Sequence, residues 1–425
     1  MSVASQLAAL QPIGRNGRTG GYERLAWSAV DLELRTWFFA QAAALGLDTE
    51  VDRNGNLWAW WHGHLPGTAV VIGSHLDSVP SGGAYDGPLG VISAFEAVRT
   101  LQEQGYTPER PVAIVSFSDE EGGRFGVACS GSRLMVGVLA PERAAALKDR
   151  DGTTMAEAMQ AAGHDVKHLG FDAARIARIG EFIELHIEQG HLPSCGIVPH
   201  PHAAHADGGQ SSAAPAGLAA AGVAVGMAEQ IWPHGRWRAD LIGTPNHAGT
   251  TPMHLRNDPM LTLAGLITEV RAAAEELGAL ATIGKIQVQP GAVNAIAASV
   301  SAWIDARAGD EAQVRAVIAR AAERAGMPLI EESWTPATLF DAATTEAVAA
   351  AVAPMLGQGL PLLPSGAGHD AGVLAEAGIR TAMLLVRNPT GVSHAPDEYA
   401  EASDAEIGVA ALAAAVRART SKEAA

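Results

Sequence analysis

Three short stretches are almost wholly apolar and stop abruptly at Gly, Pro or charge: TAVVIGSH (68–75), PVAIVSFS (111–118) and TAMLLV (381–386). A fourth, EFIELHIE (181–188), is as long as the first two and ends in the same way. Such runs are too short for helices and read as strands covered on both faces, the usual state of a parallel sheet. GNLWAWW (55–61) reads as a further strand. Between them, apolar positions recur at helical spacing over 31–46, 90–105, 342–356 and 403–419. Strands alternating with helices predict an α/β layer, with a mostly parallel sheet and helices on both faces.

The pattern changes near residue 235. RWRADLIG (236–243), ALATIGKIQVQ (279–289) and ASVSAWIDAR (298–307) predict strands, and 260–278 and 310–326 predict two amphipathic helices. This is the make-up of a small α+β domain inserted in the larger one. The expected organisation is a first part of the α/β domain over 1–234, the insertion over 235–330, and the rest of the α/β domain over 331–425. Residues 199–222 (PHPHAAHADGGQSSAAPAGLAAAG) form a low-complexity stretch and are expected to be a mobile surface loop. His200, His202 and His205 within it have no predicted element to fix a metal-binding geometry.

The composition narrows the function. With 48% hydrophobic residues over 425 positions, the chain can bury a large core. A net charge of −17 and the lack of a Lys/Arg-rich run argue against nucleic acid and anionic membranes as partners. Two cysteines, Cys129 and Cys195, support neither a disulfide framework nor a thiolate zinc site. No leader-like segment or membrane span is evident, so a cytoplasmic protein is expected.

Chemistry collects where the strands end. His75 and Asp77 follow the first buried run, and Asp86 lies in the Gly-rich loop after them. Asp77 is either the carboxylate partner of a ligating imidazole or a second ligand. Asp119, Glu120 and Glu121 follow the second run; three adjacent acids repel one another unless a cation is present. A hydrolytic metal site needs one carboxylate as ligand and often another, unligated, as base. His186 lies near the end of EFIELHIE (181–188), and His394 follows TAMLLV (381–386). Taken singly, each has a plainer explanation, such as a core histidine or acids gathered at a helix start. Together they occupy the strand ends where open α/β sheets place their sites. His75, Asp86, Glu121, His186 and His394 form a thiolate-free set suited to Zn or Mn, with Co or Ni also compatible. Five donors exceed one tetrahedral ion and suit two ions about 3.5–4 Å apart.

The runs GSHLDSVPSGGAYDGPLGV (73–91), EEGGRF (120–125), ELHIEQG (184–190), NHAGTTPM (246–253), SGAGHDA (365–371) and GVSHAPDE (391–398) resemble, in this order, the M20 family of metallohydrolases. They are most similar to its amidase/carbamoylase branch of allantoate amidohydrolases, N-carbamoyl-L-amino acid hydrolases and β-ureidopropionases. The resemblance implies a phosphorylase/hydrolase-like metallopeptidase fold and two divalent ions per subunit. His75 and His186 would hold one ion, Glu121 and His394 the other, and Asp86 would bridge. Asp77 would orient His75, and Glu120 would be the general base. The resemblance further implies a homodimer formed through the inserted domain, with His247 reaching the partner's site to stabilise an oxyanion. Gln189, Asn294 and Arg307 would hold the substrate's carboxylate and ureido ends. Gly366 and Ala367 would supply backbone contacts, and His369 reads as structural.

The implied reaction is hydrolysis of a ureido C–N bond with release of ammonia and CO2. The stretch 17–38, with Gly21-Tyr22-Glu23-Arg24, resembles the allantoate-cleaving type, so allantoate is the expected substrate. N-carbamoyl-L-amino acids are the alternative. An aminopeptidase or dipeptidase, or a non-catalytic binding protein on the same fold, remains a further reading. The 199–222 stretch departs from the family pattern, which runs from EQG through a short loop to the next strand.

Overall fold

A computed structural model describes residues 2–190, 196–198 and 217–421. The chain divides into two compact units, residues 1–230 with 339–425 and residues 231–338. The second unit is wider at both ends than the stretch where the sequence pattern changes. Along the chain the strands are β1 (Asp48–Val51), β2 (Leu57–Trp61), β3 (Ala69–His75), β4 (Val112–Phe117), β5 (Ile179–Ile187), β6 (Gly196–Val198) and β7 (Val225–Ile231). There follow β8 (His234–Ile242), β9 (Asn246–His247), β10 (Leu280–Gln289), β11 (Ala295–Ile296), β12 (Ser299–Arg307) and β13 (Ile330–Thr335). The last are β14 (Thr338–Leu339), β15 (Leu360–Ser365) and β16 (Arg380–Val386).

The large sheet runs in the order β1-β2-β4-β3-β5-β16-β7-β15-β6. Its centre, β4-β3-β5-β16, is parallel throughout. Toward the edges β2 and β7 join antiparallel. Strand period assigns the two faces. Leu57, Ala59, Trp61, Val70, Ile72, Val112, Ile114, Ile183, Leu185, Ala382, Leu384 and Val386 share one core. Against them pack Leu34 and Phe38, Ile92 and Phe95, Val348 and Val352, and Leu412 and Val416, from four helices. Each fully buried side chain of this size stabilises the fold by about 1.5–3 kcal/mol. Two of these helices start at side-chain caps. Ser28 accepts from the Asp31 N–H and Asp341 from the Thr344 N–H, each satisfying a donor the helix leaves open. The opposite face carries Trp58, Phe117 and Phe182 in edge-on ring contacts, and Glu184, whose Oε2 accepts the Ala371 N–H of the helix Asp370–Glu376. Helices therefore cover both faces of the sheet.

The second unit is built on the sheet β10-β12-β8-β13. Burial alternates residue by residue along β8 and β12, as expected of a sheet covered on one side. Its core joins Trp237, Ile304 and Ala306 to Leu266 and Val270 of the helix Pro259–Leu277 and to Val314 and Val317 of the helix Glu311–Ala325. Leu280 and Ile286 of β10 are exposed, as is Leu261 of the helix Pro259–Leu277. In the first unit the Phe340 N–H donates to the Glu229 carbonyl at 3.2 Å, so the chain leaves and rejoins that unit side by side.

Of the 199–222 stretch, 199–216 lie outside the described residues, as do Cys195 and His200, His202 and His205. Its end is not the expected surface loop. Gly217–Ala221 form a helix with Leu218 fully buried, because the Leu218 N–H donates to Glu188 Oε1 and its side chain fills the core. No described helix is long and apolar enough to cross a membrane.

Candidate metal centre

The four parallel central strands deliver the chemistry from one end. His75 is the last residue of β3, Asp119–Glu121 follow β4, His186 is next to last in β5, and His394 lies in the loop after β16. Two glycines let the backbone close around them. At Gly73, φ is +147° and a Cβ would lie 1.9 Å from the Val115 carbonyl oxygen of β4. At Gly87, φ is +83° and a Cβ would lie 2.4 Å from the His75 ring, so the turn after Asp86 must pass beneath the imidazole without a side chain.

Asp86 is the centre of the geometry. Its Oδ1 lies 3.5 Å from His75 Nε2 and 3.1 Å from His186 Nε2. Its Oδ2 lies 3.4 Å from His394 Nε2, which in turn is 3.5 Å from Glu121 Oε2. His75, Asp86 and His186 thus form one compact donor group, and Asp86, Glu121 and His394 another. Two donors held ~2.1 Å from a tetrahedral ion stand ~3.4 Å apart, which is the spacing found here. His75 Nε2, His186 Nε2 and Glu121 Oε1 are buried without a hydrogen-bond partner, a costly state that a cation relieves. The residues therefore fit divalent ions. A third group, Glu184, His186 and His369, shares His186 with the first. Its Glu184 already accepts from Ser74 Oγ and the Ala371 N–H.

Without a cation this cluster holds protons instead. Burial pushes the Glu120 carboxyl well above its ordinary pKa, more than the nearby His75 can offset. Burial and the charge of Asp86 raise Glu121 to about 7. Burial opposes a charged His75, but Glu120, Asp86 and Asp77 outweigh it and raise the imidazole well above its usual range. His394 rises to about 9, chiefly through its hydrogen bond with Asp86.

Several side chains stand behind the donors. Asp77 acts differently from the expected carboxylate partner of His75. His75 Nδ1 meets the Asp77 backbone carbonyl at 3.1 Å, while the nearest carboxylate oxygen is 3.8 Å away. That carboxylate instead accepts the N–H groups of Glu120 and Glu121, at 3.1 and 3.0 Å. The strand ends at His75, which frees Asp77 to turn toward the next loop. Glu120 is buried, with Oε2 3.6 Å from His75 Nε2, and Cys129 Sγ donates to its Oε1. Gln189 Nε2 donates to Asp86 Oδ2 at 2.6 Å and to Ser393 Oγ, while its Oε1 is buried without a partner. Glu398 accepts the N–H groups of Tyr85 and Asp86, and burial with the charge of Asp86 raises it to about 7. The sequence reading assigned no role to Ser393 or Glu398. The signal available was an acid closing the same motif as His394.

Gly366 and Ala367 lie in the loop between β15 and the helix Asp370–Glu376, where the Ala367 N–H donates to Ser365 Oγ. His369 in this loop is buried, shares a hydrogen bond with Ser365 Oγ, and meets the His186 ring at a tilt, with centroids 4.5 Å apart. His247, Asn294 and Arg307 belong to the second unit. The β9–β11 pair and the hydrogen bond from the Ala248 N–H to the Asn294 carbonyl bring the first two together. Both are exposed, and His247 Nδ1 accepts the Gly249 N–H. Arg307 ends β12 with its guanidinium forked onto Asp305.

The chain is similar over its length to known proteins. It is 34% identical over 416 residues to an N-carbamoyl-L-amino acid amidohydrolase of Geobacillus stearothermophilus, covering 95% of each chain. It is 31% identical over 407 residues to an allantoate amidohydrolase of Bacillus subtilis, covering 92% of this chain and 91% of that one. The crystal structure of an amidase of the hydantoinase/carbamoylase family from Burkholderia vietnamiensis superposes with a TM-score of 0.83 at 30% identity, covering 98% of this chain and 96% of that one. Residues 71–418, which carry every donor of the two groups around Asp86, match peptidase family M20/M25/M40, and the chain belongs to that family.

Proposed function

We propose that the protein is a two-ion amidohydrolase that cleaves a ureido C–N bond of a small carboxylate substrate, releasing ammonia and CO2. The observation that carries this reading is the division of Asp86, with one oxygen facing His75 and His186 and the other facing His394. Bound divalent ions, Zn2+ or Mn2+ by the donor set, supply positive charge that lowers the pKa of water and polarises a carbonyl oxygen. The chain's own residues do the rest. Glu120, buried and held in place through its backbone N–H by Asp77, takes the proton from the attacking water as it adds to the carbamoyl carbon. It then delivers that proton to the departing nitrogen, and the carbamate left behind loses CO2. Gln189 Oε1 offers a buried acceptor for a substrate N–H. In a homodimer, His247 of one subunit donates to the tetrahedral oxyanion in the other's site. Asn294 and Arg307 hold the substrate's ureido and carboxylate ends, the forked guanidinium exchanging Asp305 for a substrate carboxylate. The exposed Leu261, Leu280 and Ile286 of the second unit support dimer formation there.

Allantoate is the first substrate to test, on the resemblance of residues 17–38. The 34% relative favours N-carbamoyl-L-amino acids as a second reading. Ammonia release from allantoate, N-carbamoyl-L-amino acids and N-carbamoyl-β-alanine decides among them, before chelation, after it, and after Mn2+ or Zn2+ is restored. Activity on one ureido compound, lost to chelator and regained with metal, is expected. No metal-dependent ammonia from any of the three overturns the reading.

A further inference from the structure

We propose that Glu398 is a positioning residue for the second ion: it ties the loop that carries His394 to the loop that carries Asp86, and so sets the spacing of their donors. The inference rests on the two-ion reading. Glu398 lies in the same loop as His394, and its N–H closes a turn onto the Ala395 carbonyl at 3.1 Å. The residue is 4% exposed, and its Oε1 accepts two backbone donors of the other loop, Tyr85 N–H at 2.7 Å and Asp86 N–H at 2.9 Å. These bonds lie in a buried place, where losing the acceptor would leave two amides unsatisfied. The Asp86 loop is shaped to receive the carboxylate, since a Cβ at Gly83 would lie 2.3 Å from that same Oε1.

The two ion groups differ in how much they need such a tie. His75 and His186 sit on adjacent strands with side chains 1% exposed, so the sheet itself fixes their separation. The His394 side chain is 49% exposed, and its backbone has a left-handed φ of +57°. Packing alone does not hold it. Gln189 and Ser393 contact the Asp86 carboxylate, whereas Glu398 holds the backbone on which that carboxylate stands.

The test counts bound metal and needs no turnover. Stripped protein is dialysed against graded free Mn2+, and metal per chain is measured for the wild type, Glu398→Ala, Glu398→Gln and Gly83→Ala, with a thermal melt of each. The wild type should take up two equivalents. Glu398→Ala should keep the tighter one within about threefold and bind the weaker ~10–100-fold less well, the usual cost of losing a support behind a ligand. Glu398→Gln keeps the Oε1 acceptor, and Oε2 makes no hydrogen bond to a described residue, so it should bind within about threefold of the wild type. Gly83→Ala should reproduce the Ala variant. The proposal is overturned if Glu398→Ala binds both ions normally, if Gln rescues nothing, or if Ala loses both ions together with its melting transition. A wild type that takes up fewer than two ions overturns the two-ion reading itself.

Discussion

Asp77 uses its two carboxylate oxygens on consecutive backbone amides, those of Glu120 and Glu121. One side chain thereby fixes both the proposed base and a proposed ligand. Sequence spacing had shown that Asp77 and His75 were close, but not which atoms would meet, because a backbone N–H has no signature in a motif. Glu398 was hidden for the same reason. The donors themselves were legible because His, Asp and Glu at the ends of apolar runs are costly without a cation. Two predictions belong here. Glu120→Gln keeps the volume of the side chain but cannot take a proton. Its kcat should fall by about 10²–10⁴ with metal content unchanged, measured by ammonia release beside elemental analysis. The second concerns protons. In the metal-free protein Glu121 titrates near 7 and His394 near 9, and both must be deprotonated to ligate. Metal affinity should therefore rise with pH from about 6 to beyond 9, since the raised imidazoles of His75 and His186 must lose their protons as well. Calorimetry in buffers of different ionisation heat should show protons released at pH 7 and almost none at high pH. A pH-independent affinity would contradict the assignment.

Whole elements were read with uneven success, and the reason is physical. β3, β4, β5 and β16 are buried on both faces, so most of their residues are apolar and the run stands out. β13 (IEESWT) carries two adjacent exposed acids, and β15 (LPLLPS) holds two prolines, so neither announces a strand. The proposed site depends on the first kind of element and was legible to the same degree. Two glycine substitutions separate the sheet from the site it carries. Gly73→Ala drives a methyl group into the Val115 carbonyl and should cost about 3 kcal/mol, read as a lower denaturant midpoint. Gly87→Ala presses on the His75 ring from the loop and should cost metal affinity first, with the midpoint much less affected. Equal effects of the two on stability would mean that the loop, too, is part of the core.

At the scale of the whole molecule, the ion donors lie in one unit and His247, Asn294 and Arg307 in the other. If His247 serves the partner's site in a homodimer, two inactive variants should repair each other. In a mixed dimer of Glu120→Gln and His247→Ala, one site carries both defects and the other neither. Random exchange of equal amounts should then return about a quarter of wild-type activity, measured after unfolding and refolding the mixture. No recovery, with mixed dimers shown to form, would place His247 in the site of its own subunit. The meeting of Glu229 with Phe340, where the chain departs and returns, has a consequence of its own. A short turn joining the two ends there could stand in place of the second unit without disturbing the order of any strand that carries a proposed ion donor. On the proposed roles, the ion donors and the substrate contacts of the second unit are thus separable in inheritance. If His247, Asn294 and Arg307 serve the substrate as proposed, a lineage can refit them for a new one while the ion donors stay as they are.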